Sequence, residues 1–358
     1  MNLLLNPGPV TLTPRVRQAM LRPDLCHREP EFSELQSGIR SDLLKVYGLD
    51  TTEWTAVLLT GSGTAAVEAM LTSLVPDNGR LLIADNGVYG ERMAKMAAIH
   101  AIEHAVVTSG WGEPVDTNAV AKQLQSGSYS HLAMVHHETT TGRLNDLDAI
   151  ADLAHRHEVG FLIDGVSSFG AETIEFDRWP VAACAATANK CLHGVPGISF
   201  VICRRQTLAR GTARNVYLDL QTYEEQQRGG GTPFTQSVQC CYALAEALTE
   251  FFDEGGLTSR RETYRRRMAL VREGLQALGI EPLLPEGANS CVLNAFRLPA
   301  GTEYAELHDH LKEAGFIIYA GQGELASSIF RIAVMGAIGD SDLERLVEEV
   351  GMQAKRET

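Results

Sequence analysis

The chain has 358 residues, 44% of them apolar and 21% charged, and its 31 Lys and Arg against 45 Asp and Glu leave a formal net charge of −14. Such a length and composition fit a globular protein with one large domain and a smaller one, and exclude a disordered chain. The acidic balance repels nucleic acid and anionic membrane, so neither is expected as a partner, and any anionic ligand must be held by local groups. The seven cysteines are scattered without a C-x-x-C pair, which suggests neither a zinc cage nor a disulfide framework and suits a reducing cytosol. The opening MNLLLNPGPV carries no basic segment, and no stretch reaches the ~18 apolar residues of a membrane span. A cytoplasmic, unexported protein is expected.

Taken in chain order, apolar runs at 56–60, 80–85, 131–136, 160–164 and 198–204 predict strands, with helices between them at 64–75 and 147–157. Runs of this kind, ending in turn or polar residues and separated by roughly 20 to 40 amphipathic residues, predict a mainly parallel sheet covered on both faces. Ligands bind such sheets at the carboxyl ends of the strands. The run Gly229-Gly230-Gly231 reads as a mobile loop. Long helices are then predicted at 237–253 and 257–278, with Gly255-Gly256 as stop and restart. A smaller α+β unit follows, with strands at 290–296, 316–319 and 329–334 and helices at 304–314 and 341–352. The expected division is 1–255 for a large domain that includes an amino-terminal segment contacting substrate, and 256–358 for the smaller one.

Three segments carry candidate chemistry. Thr60-Gly61-Ser62-Gly63-Thr64-Ala65-Ala66 joins a strand to a helix, where amides, hydroxyls and the helix dipole make a phosphate cradle. The same string is G-x-G-x-x-A, and Asp85 ends the next strand 24 residues after Gly61, so a nicotinamide oxidoreductase competes on this stretch alone, as does a plain turn capped by Ser62. In Phe161-Leu162-Ile163-Asp164-Gly165-Val166, an acid ends an apolar strand at the binding edge. A carboxylate there needs a cationic partner such as a protonated pyridine nitrogen, unless it merely caps the next turn. Lys190, 26 residues after Asp164, stands in ANKCLHGVPG. A lone lysine is usually solvated, but a shaped loop can depress its pKa and make it a nucleophile and base.

The strings GSGTAAVEAM, NGVYGERM, MVHHETTTGRLN, FLIDGVSSFG, ANKCLHGVPG and FRIAVMG resemble, in order and spacing, those of the class V aminotransferases of pyridoxal-phosphate fold type I. The likeness runs from Leu4 to about Gly336. It is greatest to the 2-aminoethylphosphonate:pyruvate transaminases and smaller to the alanine:glyoxylate and serine:pyruvate aminotransferases. ETTTGRLN and ANKCLHGVPG are its specific part. The resemblance implies an α/β fold with a mainly parallel seven-stranded sheet between helices and a smaller carboxyl-terminal α+β domain. It implies pyridoxal phosphate bound to Lys190 as a Schiff base, with Asp164 on the pyridine nitrogen and Ser62, Gly63, Thr64 and Asn189 around the phosphate. Tyr89 would stack on the ring and Thr139 would bond its phenolic oxygen. Thr235 would reach the neighbouring subunit's cofactor, implying a homodimer with shared sites, and Arg331 would clamp a keto-acid carboxylate.

Departures fall near the expected substrate pocket. Asn6 stands where Thr is usual, and the segment after Leu218-Asp219-Leu220 lacks the family's Trp- and Arg-rich stretch. His27-Arg28-Glu29-Pro30-Glu31-Phe32 is similar to a string of the alanine:glyoxylate relatives. Arg28 and Arg228 are the candidates for a phosphonate dianion. The histidine pairs at 136–137, 155 and 157, and 308 and 310 lack i, i+4 spacing, so no metal site is expected. Arg260, Arg261, Arg265, Arg266 and Arg267 read as a solvated helical face.

Overall fold

The computed structural model describes residues 2–299 and 301–355; Met1 and 356–358, the outer ends of the two expected domains, and Ala300 lie outside the described residues. Seven strands form the central sheet: β1 (Trp54–Gly61), β2 (Arg80–Asp85), β3 (Glu103–Thr108), β4 (His131–Val135), β5 (Gly160–Asp164), β6 (Val181–Thr187) and β7 (Gly197–Arg204). Their order is β1-β7-β6-β5-β4-β2-β3. All pairings are parallel except those of β7, which runs antiparallel to both β1 and β6. Period-two alternation divides each strand between two cores. Leu58, Leu82 and Phe161 face a cluster with the Pro30–Lys45, Leu147–Arg156 and Val238–Asp253 helices. Leu59, Leu81 and Leu162 face one with the Gly63–Leu74 and Val88–Ile99 helices. With both faces covered, the strands read as continuous apolar runs.

Two strands differ from the sequence expectation, which gave neither. β3 is an edge strand whose side chains are mostly half-buried or exposed, so it carries little apolar signal. β6, VAACAAT, is wholly buried but built largely of alanine, a residue with little strand preference. The predicted 316–319 strand is in fact two pieces that part at Ile318. Phe316–Ile317 pairs in parallel with Leu3–Leu4, and Tyr319–Ala320 pairs with Ile329–Ala333, which also pairs with Leu293–Arg297. The amino-terminal residues are therefore packed on the carboxyl-terminal unit, where Leu5 and Val10 share a core with Tyr264, Phe316 and Ile332.

The glycine stop at residue 255 is real: Gly255 sits at φ +98 between the Val238–Asp253 and Gly256–Ala277 helices. The Gly229–231 run is anchored rather than free, since Gly229 caps the Leu220–Arg228 helix and the Gly231 carbonyl accepts from Gln36 Nε2 at 3.0 Å. The arginine run is only partly a solvated face. Arg265 and Arg266 are exposed, but Arg260 is 3% exposed and donates to the Cys191 carbonyl and to Glu254. Arg267 donates to the carbonyls of Val334, Gly336 and Ile338. Arg260 thereby ties the Gly256–Ala277 helix to the lysine loop, and Arg267 ties it to the segment after Ile329–Ala333. Among the described residues no helix is long and apolar enough to cross a membrane.

Candidate active site

The carboxyl end of β1 passes directly into the Gly63–Leu74 helix. Ser62 takes the N-cap position with extended backbone, and its hydroxyl makes no capping bond. The hydroxyl and the amides of Gly63 and Thr64 are thus left for a ligand, while Ala65 N–H bonds the Ser62 carbonyl at 2.9 Å; a helix N-terminus favours an anion there. Gly63 permits the close approach: a Cβ there would fall 2.7 Å from Val166 Cγ1. Asp85, the acid of the competing dinucleotide pattern, is 3% exposed and accepts from the Gly87 amide at 3.0 Å. It closes its own turn.

Asp164 ends β5 and is 6% exposed. It accepts from the Val166 amide at 3.0 Å, but among the described residues no cation lies within 4.0 Å of it. Burial pushes its carboxyl up to about 6. A buried acid in this state fits a cationic ring nitrogen.

Lys190 lies in the loop between β6 and β7. The loop is drawn tight by the Gly194 amide on the Ala188 carbonyl at 2.8 Å and by Thr187 on Asn189 at 2.8 Å. His193 holds it from behind by accepting the Gly336 amide at 2.8 Å. Lys190 Nζ donates to the Pro7 carbonyl, and Gly8 leaves room for its stem, since a Cβ at Gly8 would fall 2.8 Å from Lys190 Cδ. Burial lowers its ammonium to about 8, against the opposing pull of Cys191 and Asp164.

Tyr89, half-buried at the start of the Val88–Ile99 helix, donates its amide to Glu138 at 3.1 Å, and the other Glu138 oxygen accepts from Thr140 at 3.1 Å. Glu138 is fully buried, and burial pushes it up to about 7. Next to it Thr139 offers its carbonyl to Arg331 Nη1 at 2.9 Å, while Arg331 Nε reaches the Ala320 carbonyl at 2.8 Å. Arg331 is 2% exposed and has no carboxylate within 4.0 Å among the described residues. A buried guanidinium without a counter-ion is an anion site.

Ser62, Gly63, Thr64, Tyr89, Asn189 and Lys190 line one cleft of ≈ 480 Å³. Asp164 borders it beside Thr64, Tyr89 and Val166; Thr139 follows Glu138, which accepts the Tyr89 amide, and Arg331 is near enough for its charge to repel the Lys190 ammonium. Three predicted residues stand elsewhere. Arg28 is exposed in the turn before the Pro30–Lys45 helix, and Thr235 is exposed ahead of the Val238–Asp253 helix. Arg228 lines a separate hollow with Arg205, Glu224 and Glu225. The Leu220–Arg228 helix turns Gln227 inward to bond both backbone groups of Leu58, which leaves Arg228 facing solvent. Sequence reasoning missed Glu138, Arg92 and the Pro7-Gly8 contact. Arg92 had a usable signal, since it follows Tyr89 at the i, i+3 spacing that makes helix neighbours. The Pro7 contact spans 183 residues and had none.

Residues 20–338 match the family model for class V aminotransferases. The chain is a class V aminotransferase. It is 39% identical over 348 residues to a 2-aminoethylphosphonate–pyruvate transaminase of Aeromonas hydrophila, covering 94% of this chain and 90% of that one. It is 36% identical over 356 residues to one of Klebsiella pneumoniae, covering 97% and 96%. Among solved structures the aminotransferase is similar to an aspartate aminotransferase of subgroup IV from Thermus thermophilus, with a TM-score of 0.91, 28% identity and 100% of both chains covered. It is also similar to an alanine–glyoxylate aminotransferase from Nostoc sp., with a TM-score of 0.91, 27% identity and 98% and 95% covered. The aminotransferase uses pyridoxal phosphate, and the cleft suits it: an anion-ready turn, a buried acid without a cation, and a lysine shifted toward neutrality.

Proposed function

We propose that the aminotransferase moves the amino group of 2-aminoethylphosphonate to pyruvate, giving phosphonoacetaldehyde and alanine, a step in phosphonate breakdown. The near-full-length likeness to the two phosphonate transaminases carries this reading. The unpaired Arg331 beside the Lys190 cleft supports it as the clamp for the keto-acid carboxylate. When bound, pyridoxal phosphate supplies the electron sink for charge released at the substrate carbon. Lys190 Nζ takes the proton from that carbon and delivers it again. Asp164 would keep a proton on the ring nitrogen, Thr139 would bond the phenolic oxygen, and Tyr89 would support the ring. Ser62, Gly63, Thr64 and Asn189 hold the phosphate. Thr235 stands outside the cleft of its own chain and would reach the neighbouring subunit's cofactor, while Arg28 and Arg228, also outside it, remain the candidates for the phosphonate. The reading accordingly takes the enzyme as a cytoplasmic homodimer, its units divided near residue 255.

The substrate test is direct. Holoenzyme is mixed separately with 2-aminoethylphosphonate, alanine and serine, and the visible absorption of the cofactor is followed. Any amine accepted in either half-reaction bleaches the band, so alanine, the product of the second half-reaction, does so under every reading, and 2-aminoethylphosphonate and serine discriminate. Loss of the band with 2-aminoethylphosphonate is expected. An unchanged band at millimolar 2-aminoethylphosphonate, with bleaching by serine or by alanine alone, replaces the reading by the serine:pyruvate or the alanine:glyoxylate one, which the HREPEF segment at 27–32 favours.

Cofactor capture should also depend on pH. Only the neutral amine is nucleophilic, and Lys190 is an ammonium below about 8. The rate at which the apoprotein takes up pyridoxal phosphate should therefore rise about tenfold per pH unit below that value and level off above it. A stopped-flow series in visible absorbance checks this. A flat profile between pH 6 and 9 excludes Lys190 as the titrating group.

A further inference from the structure

The phosphate groups named above, Ser62, Gly63, Thr64 and Asn189, are all neutral. A phosphate ester carries a charge of about −1.5 to −2 at neutral pH, and the chain around it totals −14. Hydrogen bonds from a cation to such a group are roughly twice as strong as neutral ones. Two cationic side chains line the cleft, Lys190 and Arg92, and Lys190 is already directed at Pro7.

Arg92 lies one turn after Tyr89 in the Val88–Ile99 helix. Its guanidinium carbon is 4.7 Å from the centre of the Tyr89 ring, and Nη1 is 3.4 Å from the Thr64 hydroxyl. Among the described residues no carboxylate lies within 4.0 Å of it, and that weak contact with Thr64 is its sole hydrogen bond. A guanidinium has five N–H donors, so most of those of Arg92 are unused. The other enclosed arginines differ. Arg40 is bound to Glu224, Arg260 to Glu254, Arg267 to three carbonyls and Arg331 to two. Arg92 is therefore a half-buried cation, laid on an aromatic ring at the edge of an anion cradle, with donors to spare and no bonded anion; Asp164, which lines the same hollow, feels its charge without contact.

We propose that Arg92 is the cation of the cofactor's phosphate site, donating to the phosphate beside Thr64 while the Tyr89 ring supports it. The proposal rests on the Lys190 cleft being the cofactor site. It assigns the Tyr89–Arg92 pair two tasks: one face of the ring carries the guanidinium, and the opposite face is left for the cofactor.

The test compares a ligand that has the phosphate with one that lacks it. Apoprotein of the wild type, R92Q and R92K is titrated with pyridoxal phosphate and with pyridoxal, and inorganic phosphate is measured as a competitor of pyridoxal phosphate. For R92Q, pyridoxal phosphate should bind about 10- to 100-fold more weakly, the scale of a lost charged hydrogen bond, with phosphate competition weakened in parallel and pyridoxal changed less than about twofold. R92K should fall between, because an ammonium keeps the charge without the planar fork. Equal losses for both ligands would make Arg92 a prop for Tyr89 alone and overturn the proposal, as would unchanged binding of pyridoxal phosphate. If R92Q does not fold, as judged by its melting curve, R92K and the phosphate competition decide. Borohydride reduction and peptide mapping separate the two levels. An unlabelled Lys190 in the wild type sinks the cleft reading, whereas a labelled Lys190 with wild-type affinity in R92Q sinks the Arg92 proposal only.

Discussion

Lys190→Ala should give a folded protein without the lysine Schiff base, whose amino-transfer rate is lower by about 10⁴-fold or more. The upper range for one acid–base group is about 10⁴, and this residue is read both as the covalent anchor and as the proton carrier. Folding should survive, because its side chain makes a single hydrogen bond, to the Pro7 carbonyl, and the loop around it is held by Asn189, His193 and Gly194 through other atoms. The absorption spectrum and single-turnover rates with the amino donor check both parts. A lysine adduct still trapped by borohydride in the variant would place the anchor elsewhere. A wild type that stays colourless with excess pyridoxal phosphate would remove the cofactor reading of this cleft.

Asp164→Asn should cost about 10² to 10³ in rate, the scale found for removing one preorganised electrostatic contact, with little change in shape. An asparagine can still accept the Val166 amide, but it carries no charge to hold a proton on a ring nitrogen. Stability gives an independent signature. The carboxyl is raised by burial from 3.8 to about 6, so the folded state binds its proton more tightly than the unfolded chain. The apoprotein is then penalised progressively as pH rises from about 4 to about 6, by about 3 kcal/mol in all, and evenly above that. The asparagine variant lacks this slope. Urea titrations of both apoproteins at pH 4.5, 5.5 and 7 would show the difference; parallel pH profiles would mean that Asp164 is not the buried, unpaired acid described.

Much of this site could be read from the chain because its chemistry is local. The turn at Ser62–Thr64, the acid at the end of β5 and the lysine loop are each short strings next to a strand, and β2 and β5 have the predicted bounds because a covered parallel sheet makes its strands continuously apolar. What escaped was either compositionally quiet or made by the fold. β6 is alanine-rich and β3 is an edge. The Pro30–Lys45, Val88–Ile99 and Thr117–Ser126 helices went unmarked, the first two with a glycine inside. Glu138 gives no local sign that it will be buried, since only the folded chain brings Tyr89 to it from 49 residues away. Arg28 and Arg228 lie in segments that depart from the family near the expected pocket, and neither their charge nor that position says which way a turn or a helix faces.

The pairing of Leu3–Leu4 with Phe316–Ile317 also sets a clock. Those partners leave the ribosome roughly 300 residues apart, which at 5–20 residues per second is about 15 to 60 s of synthesis. Until then the segment that supplies the Pro7 carbonyl to Lys190 has no strand to lie against. The central sheet, complete by residue 204, can assemble meanwhile, but the lysine loop gains its lid from the amino terminus only when the last third of the chain has been made. Nascent fragments that end before β-pairing at residue 316 should therefore be folded in the sheet and still unable to present a finished lysine site, so that competence arrives in a single late event.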